Sequence, residues 1–505
     1  MVSVPLTAID SAPPHSGRLA WLDALRGLAA MVVVFEHALT PLWPEARLPI
    51  KAVFDPGWYG VLVFFVVSGY IVPASLERRG SVRAFWISRF FRLWPLFTVC
   101  VAGMLLLAAV GWDSLHTWWG SRPVALALAH ASMLQNLMYV PNLANVLWTL
   151  SYEMAFYLLL TAMFTLGVHR RSTAAALAFA AAAVLGAGLL PVTLLSAGGA
   201  GRMLTVVVVV TAVLAAGLAA VLRGGRWVQQ VGAVTIAGTT LLLLAVNQSY
   251  PGPWQGLFIL ATMFAGTALY RVETGQFGHR HIAWVALVPL AGLWLARAEL
   301  GVQLAIAAAW LTFAAGMTLR HRTMPSWLTW LGLVSYSIYL LHPLLLEGVE
   351  YFLPNPPTVP VAVRLTLLAA VYAVLLGLCA LTWRWVEMPA QRLGRRLTSH
   401  AETGFPPHEP GVFQSATPLP GWRHGDPEEL RHRLNGPVDA VLLDVEHGYW
   451  HHTWGEQPND QAEAMSAARR ELTEVPRMIP IFSLASREGN AAAIPPAPLR
   501  GDREE

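Results

Sequence analysis

Ala20–Leu42 reads AWLDALRGLAAMVVVFEHALTPL, an apolar stretch interrupted by Asp23, Arg26, Glu36 and His37. A helix rises about 1.5 Å per residue, so roughly 20 residues cross the ~30 Å hydrocarbon layer of a membrane, and this stretch is long enough. Ionisable side chains at that depth are costly unless they face a cavity or a partner. The stretch therefore predicts a spanning helix with neighbours, not a lone anchor. Arg26 and His37 stand eleven positions apart, about three turns, which sets them within about 20° on one face and roughly 16 Å apart along it. That face carries a cation near one membrane surface and an imidazole near mid-membrane. Glu36 points about 100° away from its neighbour His37 and is not expected to orient the ring.

The rest of the chain suits the same solvent. Of 505 residues, 55% are hydrophobic and 13% charged, and the mean hydropathy is +0.50, a balance that excludes an ordinary soluble globular protein. Further apolar stretches lie near 58–76, 92–111, 145–167, 173–196, 203–222, 230–247, 254–271, 282–297, 300–319, 327–348 and 363–386. The expected fold is an all-α polytopic membrane protein with about 10–12 transmembrane helices over residues 19–396. Residues 124–140 are apolar but carry His130, Gln135 and Asn136 and run into Pro141, so they read as interfacial or re-entrant. Residues 1–18 lack the basic start and apolar core of a signal peptide and are expected to stay attached. Cys100 and Cys379 each fall in a predicted span, which indicates neither a disulfide framework nor redox chemistry. Loops holding Arg78, Arg170, Arg223, Arg271 and Arg320 alternate with loops such as 247–253 and 349–362 that are nearly free of basic residues. Arginine is retained on the cytoplasmic side, so both termini are placed in the cytoplasm of a multi-pass cell-membrane protein.

Four more segments put polar groups where lipid does not accept them. In GVLVFFVVSGYIVPASLERRG (60–80), Ser68 and Gly69 break an apolar run and Pro73 removes a backbone hydrogen bond. In SVRAFWISRFFRLWP (81–95), Arg89 and Arg92 share a helix face and form a candidate phosphate site. Positive charge retained in the cytoplasm explains their presence but not their spacing. In NVLWTLSYEMAFYLLL (145–160), Glu153 beside Tyr152 is placed to orient a base, hold an acceptor hydroxyl or pair with an arginine. In WLGLVSYSIYLLHPLLLE (330–347), Ser335, Tyr336, Ser337, Tyr339 and His342 line a cavity or glue helices together, and Pro343 is expected to bend the helix. Arg26 with His37 suits a donor that has a phosphate-bearing end and a reactive end, and acyl-CoA fits that description. A snorkelling arginine and a histidine bonded to a neighbouring helix are the plainer reading.

Together these segments resemble the acyltransferase family 3 membrane proteins. The resemblance rests on Arg26 and His37, FFVVSGY at 64–70, RFFRLWP at 89–95, WTLSYE at 148–153 and SYSIYLLHP at 335–343, and it covers roughly residues 18–395. It implies transfer of an acyl group, such as acetyl from acetyl-CoA, to a hydroxyl of a carbohydrate, lipid or macrolide, with acyl-CoA as co-substrate and no permanently bound cofactor. It further implies that His37 is essential and that Arg26, Arg89 and Arg92 lie near the donor. His37 then acts as a general base, with Glu153 the candidate to orient it, or carries the acyl group covalently. Ser68, Tyr152, Ser335, Tyr336 and His342 are candidate cavity or substrate residues. The rival function is a proton-coupled transporter or flippase of a glycan or lipid; no second copy of RGLAAMVVVFEH is present to mark an internal repeat.

Beyond Arg396 the composition turns to Pro, Gly and charge, giving a linker at 397–420 and a small soluble region at 421–505. Within it, 439–447 and 477–483 read as strands and 462–475 as a helix, a small cytoplasmic α/β C-terminal appendage. His447, His451 and His452 near Asp444 and Glu446 match no standard metal spacing and are read as an aromatic loop, GYWHHTW. Neither a metal nor a nucleic-acid partner is expected.

Overall fold

The computed structural model describes residues 20–109, 122–248, 250–353 and 358–402, with four short strands in the tail. The chain divides into two units, Met1–Thr398 and Ser399–Glu505. Helices of the first unit are α1 (Ala20–Leu42), α2 (Pro44–Val53), α3 (Pro56–Arg79), α4 (Val82–Ala109), α5 (Pro123–Ala131), α6 (Trp148–Thr165), α7 (Ser172–Gly186) and α8 (Ala200–Arg223). They continue as α9 (Arg226–Val246), α10 (Pro253–Glu273), α11 (Arg280–Leu295), α12 (Leu300–Leu319), α13 (Ser326–Leu333), α14 (Ser335–Phe352) and α15 (Val361–Thr382). A π-helical turn, Trp383–Glu387, leads into α16 (Met388–Glu402).

Local chemistry sets the ends of these helices. Asp55 accepts the Trp58 N–H at 3.1 Å and Pro56 opens the first turn of α3, which satisfies a donor that a helix start leaves free. Gly80, at φ 62°, ends α3 in the left-handed region, where a Cβ is unfavourable.

The polar helix α1 sits inside, packed by α3, α13, α14, α12 and α2. Helix α10 lies between α3 and α7 and is buried from Gly256 to Ala268. Outer helices expose large apolar side chains, among them Val209, Leu242, Leu311 and Val374, as a lipid-facing surface requires. The backbones of α3 and α10 nearly touch: a Cβ on Gly69 would lie 1.9 Å from the Met263 carbonyl oxygen, and one on Gly266 2.4 Å from that of Val66. Pro73 has no N–H for the Gly69 carbonyl, and Thr267 of α10 donates its hydroxyl there instead, at 2.8 Å.

The expected 10–12 spans are not reached. Seven described helices are long and apolar enough to cross a membrane, or eight if α13 and α14, bent by 68°, count as one. Helices α7 and α11 have only 15 and 16 residues. Helix α1 is long enough but carries Asp23, Arg26 and Glu36, and α10 ends in Arg271 and Glu273; both rely on protein neighbours in place of an apolar surface. The 68° bend falls at Val334 and not at Pro343, through which α14 continues. At the bend Ser335 Oγ donates to the Gly332 carbonyl at 2.8 Å, while Gly332 lies so close to α1 that a Cβ would sit 2.0 Å from the Asp23 carbonyl oxygen. Residues 124–140 form the nine-residue α5 and a 3-10 turn, not a span.

In the second unit, β1 (Ala416–Pro418), β2 (Ala440–Asp444), β3 (Tyr449–Thr453) and β4 (Met478–Ser483) form a sheet in the order β1-β3-β2-β4. All neighbours are antiparallel, with Leu442 opposite His451 and Asp444 opposite both Tyr449 and Met478. Residues 449–453, expected as loop, are thus a strand, while the helix expected at 462–475, His447 and residues 1–18 lie outside the described residues. β2 and β4 lie within the strands expected at 439–447 and 477–483, but with the expected helix outside the described residues an α/β appendage is not supported.

Gly69→Ala is expected to push α3 and α10 apart. Overpacking of this kind costs about 1–3 kcal/mol, so the detergent-solubilised variant melts at lower temperature than the parent; coincident melting curves would contradict the contact.

Candidate active site

A cavity of about 240 Å³ lies among α1, α3, α4, α6 and α14. Asp23 and Arg26 reach it from α1, Ser68 from α3, Arg89 and Arg92 from α4, Glu153 from α6, and Ser335, Tyr336 and Tyr339 from α14. Three guanidiniums face two carboxylates, a formal net charge of one positive. The Arg89 guanidinium stacks over Phe85 and Tyr157 at 5.7 and 5.9 Å, and its Nε is buried without a protein partner. Tyr157 donates its hydroxyl to Glu153. Tyr336 donates to the Leu93 carbonyl at 2.9 Å, which ties α14 to α4. Behind the cavity, Glu387 on the π-helical turn is buried, accepts the Ser337 hydroxyl and lies near Arg92 and Arg26.

Arg26, Arg89, Arg92, Ser68, Glu153, Ser335 and Tyr336 thus line one cavity, and three of the candidates do not. Tyr152 is wholly buried, with its hydroxyl 2.9 Å from both Gln248 Oε1 and the Tyr250 carbonyl; it holds Gln248 and Tyr250 and is outside this cavity's lining. His37 and His342 are also outside the lining. The cavity is bounded on their side by Tyr339, whose hydroxyl is 2.8 Å from Thr149 Oγ1 and 3.0 Å from the Val146 carbonyl. Beyond Tyr339 comes the His342 ring at 6.1 Å, and beyond it the His37 ring, 5.0 Å from His342.

His37 is half-buried, and its Nδ1 lies 2.9 Å from the Val33 carbonyl and 3.2 Å from Glu36 Oε2. The expectation that Glu36 points away is corrected: its flexible side chain folds back onto the ring. Glu153 is at the arginine end with Tyr157 and is not the group that orients His37. His342 holds the Ile338 carbonyl through Nδ1 at 3.0 Å, and its Nε2 is buried without a protein partner. Reasoning on sequence missed Glu387, a lone carboxylate just past an apolar stretch, and α2, which falls between the apolar stretches. Among the described residues no group of three or more His, Cys, Asp or Glu side chains is placed to hold a metal.

A second cavity of about 520 Å³ is lined by Asn136, Asn142, Ser196 and Tyr250, among others. His130 pins its wall, with Nδ1 on the Leu126 carbonyl at 2.9 Å and Nε2 accepting the Leu143 N–H at 3.2 Å. Burial pushes the His130 imidazole down to about 4, against the opposing pull of the Leu126 bond.

Fold and cavity together define a multi-pass membrane protein with an arginine-lined interior site. The chain belongs to acyltransferase family 3: the family's model, described as an acyltransferase domain, matches residues 19–384. It is 30% identical over 153 residues to acyltransferase MdmB of Streptomyces mycarofaciens, covering 29% of this chain and 39% of that one. It is 30% identical over 189 residues to nodulation protein 10 of Rhizobium leguminosarum bv. viciae, covering 34% and 50%. The chain thus spans half or less of the length of these curated relatives. No solved structure matches it.

His130 makes the fold acid-sensitive. As pH falls below about 6.5 the unfolded chain takes up a proton that the folded chain refuses until about 4, so the stability this residue contributes is complete above that window and lost across it. The parent is expected to lose melting temperature between pH 7 and pH 4.5, and His130→Gln to lose less over the same range; parallel losses would show that His130 is not responsible.

Proposed function

We propose that this chain is a membrane acyltransferase that moves an acyl group, in the simplest case acetyl, from acyl-CoA to a hydroxyl of a carbohydrate, lipid or macrolide acceptor. The observation that carries this reading is the layout of α1, which presents Arg26 to a three-arginine cavity and His37 about three turns further along. Arg26, Arg89 and Arg92 bind the donor's phosphates through charge-assisted hydrogen bonds. Asp23 and Glu153 keep the guanidiniums apart and moderate their charge. The arginine-bearing loops support a cytoplasmic mouth for this cavity, cytoplasmic termini and a place in the cell membrane.

At the other end, Nδ1–H of His37 donates to the Val33 carbonyl, which leaves the Nε2 lone pair free. The acceptor oxygen attacks the thioester carbonyl carbon while its proton passes to Nε2. The C–S bond then breaks, the sulfur leaves as CoA, and the proton held on Nε2 neutralises the thiolate. Proton removal of this kind contributes about 10²- to 10⁴-fold. The acyl arm reaches His37 past Tyr339, which lines the cavity and lies beside the His342 ring.

The test is transfer of label from radiolabelled acetyl-CoA to a cell-envelope extract by the purified chain. His37→Ala is expected to lower the rate by about 10²-fold or more, and Arg89→Ala to raise the KM for acetyl-CoA with a smaller effect on kcat. Equal labelling by folded His37→Ala would remove the base and favour transport of a glycan or lipid instead.

A further inference from the structure

We propose that Glu36 is a positioning residue for His37, holding the ring and stabilising its protonated form during transfer, and that Arg47 and Lys51 set how strongly it does so. This rests on the reading of His37 as the base. Glu36 is 3% exposed, and its two carboxylate oxygens face different partners. Oε1 takes both cations of α2, with Arg47 Nη2 and Lys51 Nζ each at 3.2 Å. Oε2 is left for His37, 3.2 Å from Nδ1. A carboxylate serving only to anchor α2 has no need of that second contact.

The neighbouring residues make room for this arrangement and tune it. Gly57 lies opposite Oε2, where a Cβ would stand in contact at 3.4 Å, so position 57 sets no side chain against that oxygen. Lys51 is shared, with Nζ also 3.2 Å from Asp55 Oδ2. Burial alone would lower Lys51, but Glu36 and Asp55 together hold it above its ordinary value, so it remains a cation at the carboxylate. Asp55 in turn caps α3, so the charge cluster is tied to the helix that walls the arginine cavity.

The chemistry follows from the position of the proton. Nδ1 faces two acceptors, the Val33 carbonyl and Glu36 Oε2, and only an N–H satisfies both. The carbonyl alone would fix the tautomer. Glu36 adds a negative charge beside a ring that becomes cationic when Nε2 takes the acceptor's proton, and an adjacent carboxylate favours that cation. The other titratable or charged groups facing the pair are Arg47 and Lys51 from α2, Asp55 ahead of α3, His342 from α14 and Tyr250 from the 247–252 loop. Arg47 and Lys51 oppose the carboxylate, so removing one of them strengthens its hold on His37, and removing Glu36 leaves two cations facing the ring.

The readout is CoA thiol release from acetyl-CoA with a cell-envelope extract, measured across pH on the full chain in detergent. Glu36→Gln is expected to move the acid limb of kcat/KM down by about one pH unit and to lower the maximal rate about tenfold, with the KM for acetyl-CoA within twofold of the parent. Glu36→Asp regains part of both. A Glu36→Gln profile that superimposes on the parent's, while His37→Ala is inactive, overturns this proposal and leaves the base intact. A His37→Ala protein as active as the parent overturns the base itself. If Glu36→Gln does not fold, Lys51→Met decides: an acid limb moved upward supports the proposal, and an unmoved limb overturns it.

Discussion

Charge carried on a helix that lipid cannot solvate is the constraint on which the rest of this molecule depends. Helix α1 bears two carboxylates, a guanidinium and an imidazole within 23 residues, and each must find a partner or a cavity in a low-dielectric surround. Helices α3, α13, α14, α12 and α2 accordingly gather around it, and outer helices such as α8, α9 and α15 turn their apolar faces outward. Close packing at Gly332 and the break at Val334 follow from the same need. The α13 backbone lies against the start of α1, and the chain then turns so that α14 runs beside the rest of it.

The two ends of α1 answer that constraint differently. Near Arg26 the charges face an open cavity in which three guanidiniums outnumber two carboxylates. Near His37 they close on one another: Glu36 is satisfied by α2, and His342 packs against the ring. Tyr339 and Thr149, joined by a 2.8 Å hydrogen bond, separate the two regions. One end leaves its charges facing an open cavity, the other pairs them within the protein.

Much of this was legible in the residues. The apolar stretches at 20–42 and 300–319 coincide with α1 and α12, because hydrophobic length is read directly as helix length. Arg26, Arg89 and Arg92 were expected together as donor-binding groups, whereas Glu153, expected beside His37, lies with them instead. What was not legible depends on partners remote in sequence. Spacing alone turned Glu36 away from His37, since rotation per residue describes the backbone and not a long side chain reaching back. Residues 44–53 carry too much charge to stand out as a helix, yet they supply the cations that Glu36 needs. Glu387 sits on a π-helical turn, which shifts the face on which a residue emerges, so no regular period finds it. Pro343 was a reasonable place for a bend, but the bend falls at Val334, beside the close contact of Gly332 with α1.

The hydroxyl of Thr267 on the Gly69 carbonyl makes the tolerance of Pro73 depend on a residue of another helix. A proline in α3 would otherwise strand a buried carbonyl at a cost of about 1–3 kcal/mol, so it is tolerated only while α10 supplies a donor. A lineage that loses the proline regains the helix's own hydrogen bond and frees position 267 to drift. A lineage that loses the threonine first passes through a destabilised intermediate. The order in which these two positions change is therefore biased by physics, although they stand nearly two hundred residues apart.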